Sequence, residues 1–351
     1  MKKLALTLVA SMFLVACNSG GGSTNSNTPL PGKFVLAGAN GSIYASLTSM
    51  SNVFYPSAIL QNVGTICSQP TGLTFGANKY VLVANANGES GVCISQSTNA
   101  KNWDEFIITT SNTHINTVLV TSDNKFILGG NSVIMSGYDL HNLQTNNFIP
   151  GKSIKKLLQN DSIIIALCND NTIYYASSND LSNWTQDTNF SQQATTKIDD
   201  ITIGNNYLIA VGAYAKILYT NKNNYPQDIS WNNLTNDLKS NQEIKFIAYG
   251  NGQYAGITSS NLLSNVGPSS FSIDEQNLSF KSVNNLPLNP VNSLTFGAGY
   301  FMLTAQSSGI DAGVNSSANS TDGINWNLGV IVSSIPLIGI PIIQASTFGS
   351  N

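Results

Sequence analysis

The chain has 351 residues, 9% of them charged, with a net charge of −3, two histidines and four cysteines. A typical soluble protein carries about 25% charged residues, so Asn, Ser and Thr must supply most of the polar surface here. A charge so sparse and slightly negative offers no clustered basic face for nucleic acid, and all fifteen basic residues are lysine.

Met1-Lys2-Lys3 is basic, and Leu4 to Ala16 is an apolar run of 13 residues, too short to cross a bilayer as a mature helix. It ends in Leu14-Val15-Ala16-Cys17, which resembles the lipobox of bacterial lipoproteins. That resemblance implies cleavage before Cys17, acylation of Cys17 with palmitate-type chains, and membrane attachment through the lipid. Several acyl chains hold firmly, since each buried methylene contributes about 0.8 kcal/mol. Asn18, where the Gram-negative sorting pattern has Asp for retention, implies the outer membrane; in a Gram-positive host the distinction vanishes. The alternative is an ordinary signal peptide with an incidental cysteine. Asn18 to Pro31 is rich in Gly, Ser and Asn and reads as a flexible tether reaching roughly 20 Å. The chain therefore divides into a signal peptide (1–16), a lipidated Cys17 with its tether (17–31), and a folded domain (32–351).

From Gly32 onward a phrase recurs. It reads LTFGANKYVLVA at Leu73, ITIGNNYLIAVG at Ile201, IAYGNGQYAGIT at Ile247 and LTFGAGYFMLTA at Leu294. Each is an apolar strand, a turn of residues that tolerate positive φ, and a second apolar strand. Third strands end at Ser46, Ser95, Ser136, Ser177, Asn221 and Ser320, which sets a period of about 40–50 residues, that of propeller blades. The last residues, Thr347-Phe348-Gly349-Ser350-Asn351, begin a phrase that Gly32-Lys33-Phe34-Val35-Leu36 completes. The pattern predicts an all-β, seven-bladed β-propeller whose N- and C-terminal strands share one blade. Counts of six or eight stay open, because the third strand between Leu262 and Phe271 is hard to place. Val330 to Ile343, with Pro336 and Pro341, reads as a crossover into the closing strand. Cys67 and Cys93 fall in one repeat and form the expected disulfide in an oxidising compartment, leaving Cys168 as a buried thiol.

Ser320-Thr321-Asp322-Gly323-Ile324-Asn325-Trp326 resembles the Asp-box of sialidase-type (BNR) repeats, shortened by one residue. Ser177 to Trp184, with Asp180, is similar but lacks the glycine; Ser95 to Trp103 has lost both Asp and Gly, and Asn221 to Trp231 is looser still. The resemblance implies a structural hairpin in which Ser320, Asp322 and Gly323, and likewise Ser177 and Asp180, shape the turn while Trp326 and Trp184 pack between blades. Sialidases of that family hold a carboxylate with three arginines, and lysine cannot reproduce their planar two-point contact, so a sialidase is excluded.

Other chemistry has little support. Glutamates are limited to Glu89, Glu105, Glu243 and Glu275, and adjacent Asp199 and Asp200 would point to opposite faces of a strand. His114 and His141 share one predicted blade without a nucleophile motif. Asp161, Asp170 and Asn171 are too few for a calcium loop. No metal site and no cofactor are expected. The reading is a monomeric, non-catalytic, envelope-anchored platform that binds an envelope or host protein. The alternative is a glycan-binding or glycoside-hydrolysing propeller, marked by an exposed aromatic beside a carboxyl pair at the channel mouth.

Overall fold

The computed structural model describes residues 32–349, except 49–50, 52, 64, 88–90, 109–112, 260–266, 284–285, 287, 289, 306–315 and 333–342. Cys17, the signal segment, the tether, Glu89 and most of the Val330–Ile343 stretch lie outside the described residues. Those described form 28 strands and one short α-helix, Thr188–Gln193. Five sheets have four strands and one has eight, giving seven antiparallel sets of four. The chain is an all-β propeller.

Blade 1 takes its inner strand from the C-terminus, Ile343–Gly349, followed outward by Lys33–Gly38, Ser42–Ser46 and Val53–Ile59. The inner strands of blades 2 to 7 are Cys67–Gly76, Ile115–Val120, Ile154–Asn160, Ile198–Ile203, Ile244–Gly250 and Val291–Gly297. Each packs beside the next, and the series returns from blade 7 to blade 1. The third strand of blade 6, which the sequence left open, is Ser270–Asp274. That of blade 2 runs to Ser97, two residues beyond the expected end.

Second strands read as continuous apolar runs because both of their faces are covered. In Lys79–Ala86, Leu82 and Ala84 pack with Val35 and Ile43 of blade 1, while Val81 and Val83 pack with Val118 and Leu128 of blade 3. The core is thus a series of layers between neighbouring blades. Tight turns lead into several second strands through paired residues with positive φ: Ala77-Asn78, Asn251-Gly252 and Ala298-Gly299.

The recurring aromatic-glycine pair at the inner-strand end has a packing cause. A Cβ on Gly250 would lie 2.2 Å from the ring of Phe296, one on Gly297 2.0 Å from Phe348, and one on Gly349 2.2 Å from Phe75. Each ring covers the glycine of the preceding blade. It also tilts against an aromatic of its own second strand, Phe348 on Phe34 and Phe296 on Phe301, both with centroids 4.9 Å apart. Two of these steps, Phe348 over Gly297 and Phe75 over Gly349, use the C-terminal strand. Six ladder pairs from Lys33↔Gly349 to Gly38↔Ile343 fix that strand in place. At the outer rim a parallel bridge, Val330↔Val53 and Ile331↔Phe54, ties blade 7 to blade 1.

Gly297→Ala should force the Phe348 ring off its seat and destabilise the fold by about 1–3 kcal/mol, the range for overpacking. Urea denaturation checks this, with Phe348→Leu in the same chain expected to restore part of the loss.

Candidate functional site

The inner strands share a second feature at the end where they begin. In six blades the ladder to the second strand slips by one residue, and the extra residue is always the second of the inner strand: Asn116, Lys155, Asp199, Lys245, Asn292 and Gln344. Such bulges re-aim side chains at the rims of closed β structures. Here several of them stitch blade to blade. The Asn116 Nδ2 donates to the Ile154 carbonyl at 3.0 Å, and the Lys155 Nζ to the Ile198 carbonyl at 3.1 Å.

Blades 4 to 6 bring charge to this rim. The Lys197 Nζ contacts Asp199 Oδ1 at 2.7 Å and Glu243 Oε1 at 2.8 Å, and the Lys245 Nζ contacts Glu243 Oε2 at 2.7 Å. The Lys155 Nζ stands 3.4 Å from Asp199 Oδ1. Three ammonium groups thus meet two carboxylates, which leaves one positive charge in excess. Asp199 has only 7% of its side chain exposed, and its Oδ2 is buried with no donor among the described residues. Asp200 turns elsewhere, to the Lys156 Nζ at 2.6 Å and the Ile247 amide at 3.0 Å. The adjacent aspartates therefore form no dyad.

Burial alone would raise the Glu243 pKa, but hydrogen bonds from Lys197 and Lys245 outweigh it and bring it down to about 2. The same bonds, to Asp199 and Glu243, push Lys197 upward. Burial lowers the Lys155 pKa, with Asp199 partly opposing it. Asp199 and Glu243 share the Lys197 ammonium and so lie close together, as a hydrolytic pair would. In such a pair one carboxylate stays ionised while the other donates a proton, and Glu243, held ionised by the two lysines, suits only the former role.

Beside this cluster, between blades 6 and 7, lies a cleft of about 320 Å³ lined by Lys245, Phe246, Thr258, Ser259, Pro268, Pro290, Val291 and Asn292. A larger polar groove of about 640 Å³ runs along the other end of blades 5 to 7, past Asn206, Gln253, Glu275 and Asp322. Glu275 there is spoken for by the Asn206 amide and by the hydroxyls of Tyr254 and Tyr249.

The turn residues lie at that other end. Ser320 Oγ accepts from the amides of Asp322 and Gly323, and Asp322 Oδ1 accepts from Ile324 and Asn325 at 2.9 and 2.8 Å. Gly323 has φ +70° and the Trp326 Nε1 donates to its carbonyl. Burial would raise the Asp322 pKa, but the Asn325 and Ile324 amides more than offset it and hold it below the usual range. In blade 4, Asp180 accepts from the amide and hydroxyl of Ser182, and Trp184 Nε1 donates to Leu181 at 2.8 Å. The Ser95 register needs correction. Ser97 and Asn99 form the blade 2 turn, Asn99 Oδ1 accepts from Lys101 and Asn102, and Ala100 takes the glycine position at φ +60°. The Ser-x-Asx-x-x-x-Trp spacing shared with Ser320–Trp326 was the missed signal. Trp231 does not close a turn with Asp228; its Nε1 donates to buried Asp187 of blade 4 at 2.8 Å.

Cys67 and Cys93 are joined by a disulfide, with Cα atoms 6.3 Å apart, and Cys168 is a buried thiol whose pKa burial pushes up to about 12. His114 precedes the inner strand of blade 3. His141, at the other end, stacks on Phe106 at 3.9 Å, so the two do not meet. Asp161 and Asp170 also sit at opposite ends of their blade, and Asp170 pairs with Lys152. Glu105 accepts from the Gln61 and Asn62 amides. Among the described residues no cluster of three metal-ligating side chains occurs.

No protein-family model matches the sequence, and no curated protein matches it either. Solved structures resemble it in fold. One is YCF48 bound to D1 peptide, with a TM-score of 0.59 at 10% identity over 78% of this chain and 85% of that one. A streptogramin B lyase gives 0.59 at 13% identity over 91% and 98%. The virginiamycin B lyase of Staphylococcus aureus gives 0.56 at 13% over 76% and 85%. These likenesses show a propeller. They also overturn the expectation of a non-catalytic protein: the same architecture carries lyases, so the fold gives no ground for that exclusion.

Asp322→Ala should remove two backbone hydrogen bonds and lower stability by about 1–2 kcal/mol, as loss of a helix cap does, measured by thermal unfolding. Glu243 titrates near 2 in the fold against 4.5 ordinarily. Its contribution to stability is therefore full above the higher value and fades as pH falls through the lower one. Glu243→Gln should lower the unfolding midpoint at neutral pH and flatten its fall below pH 4.5.

Proposed function

We propose that the protein is a lipid-anchored envelope propeller that binds an extended segment of another protein at the charged end of its inner-strand ring. The excess of ammonium over carboxylate at Lys155, Lys197, Lys245, Asp199 and Glu243 carries this reading. Side chains held by bulged strands and inter-blade hydrogen bonds form a rigid, pre-organised surface, which lowers the cost of binding. The neutral Asn-rich surround suits recognition by shape and hydrogen bonds. The likeness to a propeller bound to a peptide is consistent with the reading, and the Asp322 and Asp180 turns are consistent with a structural, BNR-like role for those residues.

Topology gives the surface an orientation. Lys33 pairs with Gly349, the last residue of an inner strand, so the chain enters the domain at the end opposite the lysine cluster. A tether from Cys17 would hold that entry end toward the bilayer and present the cluster away from it. The Cys67–Cys93 bridge fits an oxidising envelope compartment.

Two comparisons test this. Cys17→Ser should move the protein from membrane to soluble fractions. Converting Lys155, Lys197 and Lys245 together to Gln should abolish capture of envelope proteins that the unaltered domain retains at low salt. Retention unchanged by the triple substitution, or membrane attachment unchanged by the serine, would overturn the corresponding half of the proposal.

A further inference from the structure

The cleft beside the cluster has a more specific chemistry. We infer that it is a pocket for the carboxylate end of an apolar chain, that is, the C-terminal residue of a bound peptide. The inference rests on the platform reading and names the part of the partner that enters.

Two residues that carry nitrogen donors, Lys245 and Asn292, line the cleft. Lys245 has three N–H bonds, and among the described residues its ammonium pairs at hydrogen-bond distance with one carboxylate oxygen, Glu243 Oε2; Asp199 Oδ1 stands 3.8 Å away. Asn292 Nδ2 is buried and has no acceptor among the described residues. An unsatisfied buried donor costs about 1–3 kcal/mol, and a ligand oxygen toward which the Asn292 amide turns in the cleft would recover it. The Thr258 hydroxyl is already engaged by Ser269 and Gln242. The remaining wall is largely carbon, from Phe246, Pro268, Pro290 and Val291.

This combination selects one kind of occupant. A carboxylate meets Lys245 and Asn292 and neutralises the one excess positive charge of the cluster. An apolar side chain meets the proline, valine and phenylalanine wall. An amino terminus would face an ammonium. A volume of about 320 Å³ lies at the small end of ligand sites and suits a chain end, not a folded element.

The probes are N-acetyl-leucine and N-acetyl-leucinamide, which match in shape and differ in the charge. Binding of each to the mature protein is measured by calorimetry and by chemical-shift changes at Asn292. The acid should bind at least about tenfold more tightly than the amide, a difference of roughly 1.4 kcal/mol. Lys245→Gln and Asn292→Ala should each weaken the acid severalfold, while Lys245→Arg keeps it. Equal binding of acid and amide, binding indifferent to both substitutions, or no binding of either probe would overturn the pocket. If envelope proteins are still captured through Lys155 and Lys197 while the cleft ignores both probes, the pocket fails and the platform stands. Acid-selective binding at Asn292 without such capture upholds the pocket and removes the platform.

Discussion

The structure depends on one repeated contact, an aromatic ring laid over a glycine of the neighbouring inner strand. Interiors are close-packed, and no side chain could share the space that Phe348 takes above Gly297. The contact sets how closely blades 6, 7, 1 and 2 approach, and Val120 over Gly76 continues it with a smaller group into blade 3. Because the C-terminal strand supplies both a ring, Phe348, and a seat, Gly349, the series continues only if Ile343–Gly349 joins Lys33–Gly38 in one blade. Closure also covers the apolar sheet faces that a linear array of blades would expose at its two ends. The parallel bridge between the outer strands of blades 7 and 1 secures the same junction from outside.

The two ends of this ring differ chemically. At one, turns built on Asp322, Asp180 and Asn99 satisfy their own backbone amides, and their carboxylates and amides are consumed in doing so. At the other, the bulged residues reach across blade boundaries. Blades 4 to 6 place lysines and carboxylates there, whereas blades 7, 1 and 3 place the amides Asn292, Gln344 and Asn116. The turn end thus spends most of its polar groups on itself, although the Trp103 Nε1 there is buried without an acceptor among the described residues. The bulge end retains spare donors on Lys245 and Asn292 and an unpaired oxygen on Asp199. The charged groups with spare hydrogen-bonding capacity therefore lie at the bulge end, away from where the chain enters.

Much of the architecture was legible because the forces behind it act locally. Phrases such as TFGAN specify a ring, a seat and a turn within five residues, and the split phrase at the termini revealed the closing strand. The blade 2 turn was misread by two residues because Asn99 and Ala100 do the work of Asp and Gly, and a left-handed alanine leaves no trace in composition. The charged cluster was missed for another reason. Its cross-blade partners are one repeat apart, 44 residues from Lys155 to Asp199 and 46 from Lys197 to Glu243, so a local window shows only the pairs Lys197–Asp199 and Glu243–Lys245 and not the link between blades. Only superposition of the repeats brings them into register. The rule that neighbouring strand residues diverge did separate Asp199 from Asp200, but it could not show that each would find a lysine on the preceding blade.

The central claim is that the C-terminal strand is the inner strand of the first blade and holds the ring shut. Native-state hydrogen exchange of the paired segments 33–38 and 343–349 tests this most directly. The account predicts that their hydrogen-bonded amides exchange only through global unfolding, with the same free energy as the second strands of blades 3 and 4. Exchange of residues 343–349 by local opening, while the remaining blades stay protected, would contradict it.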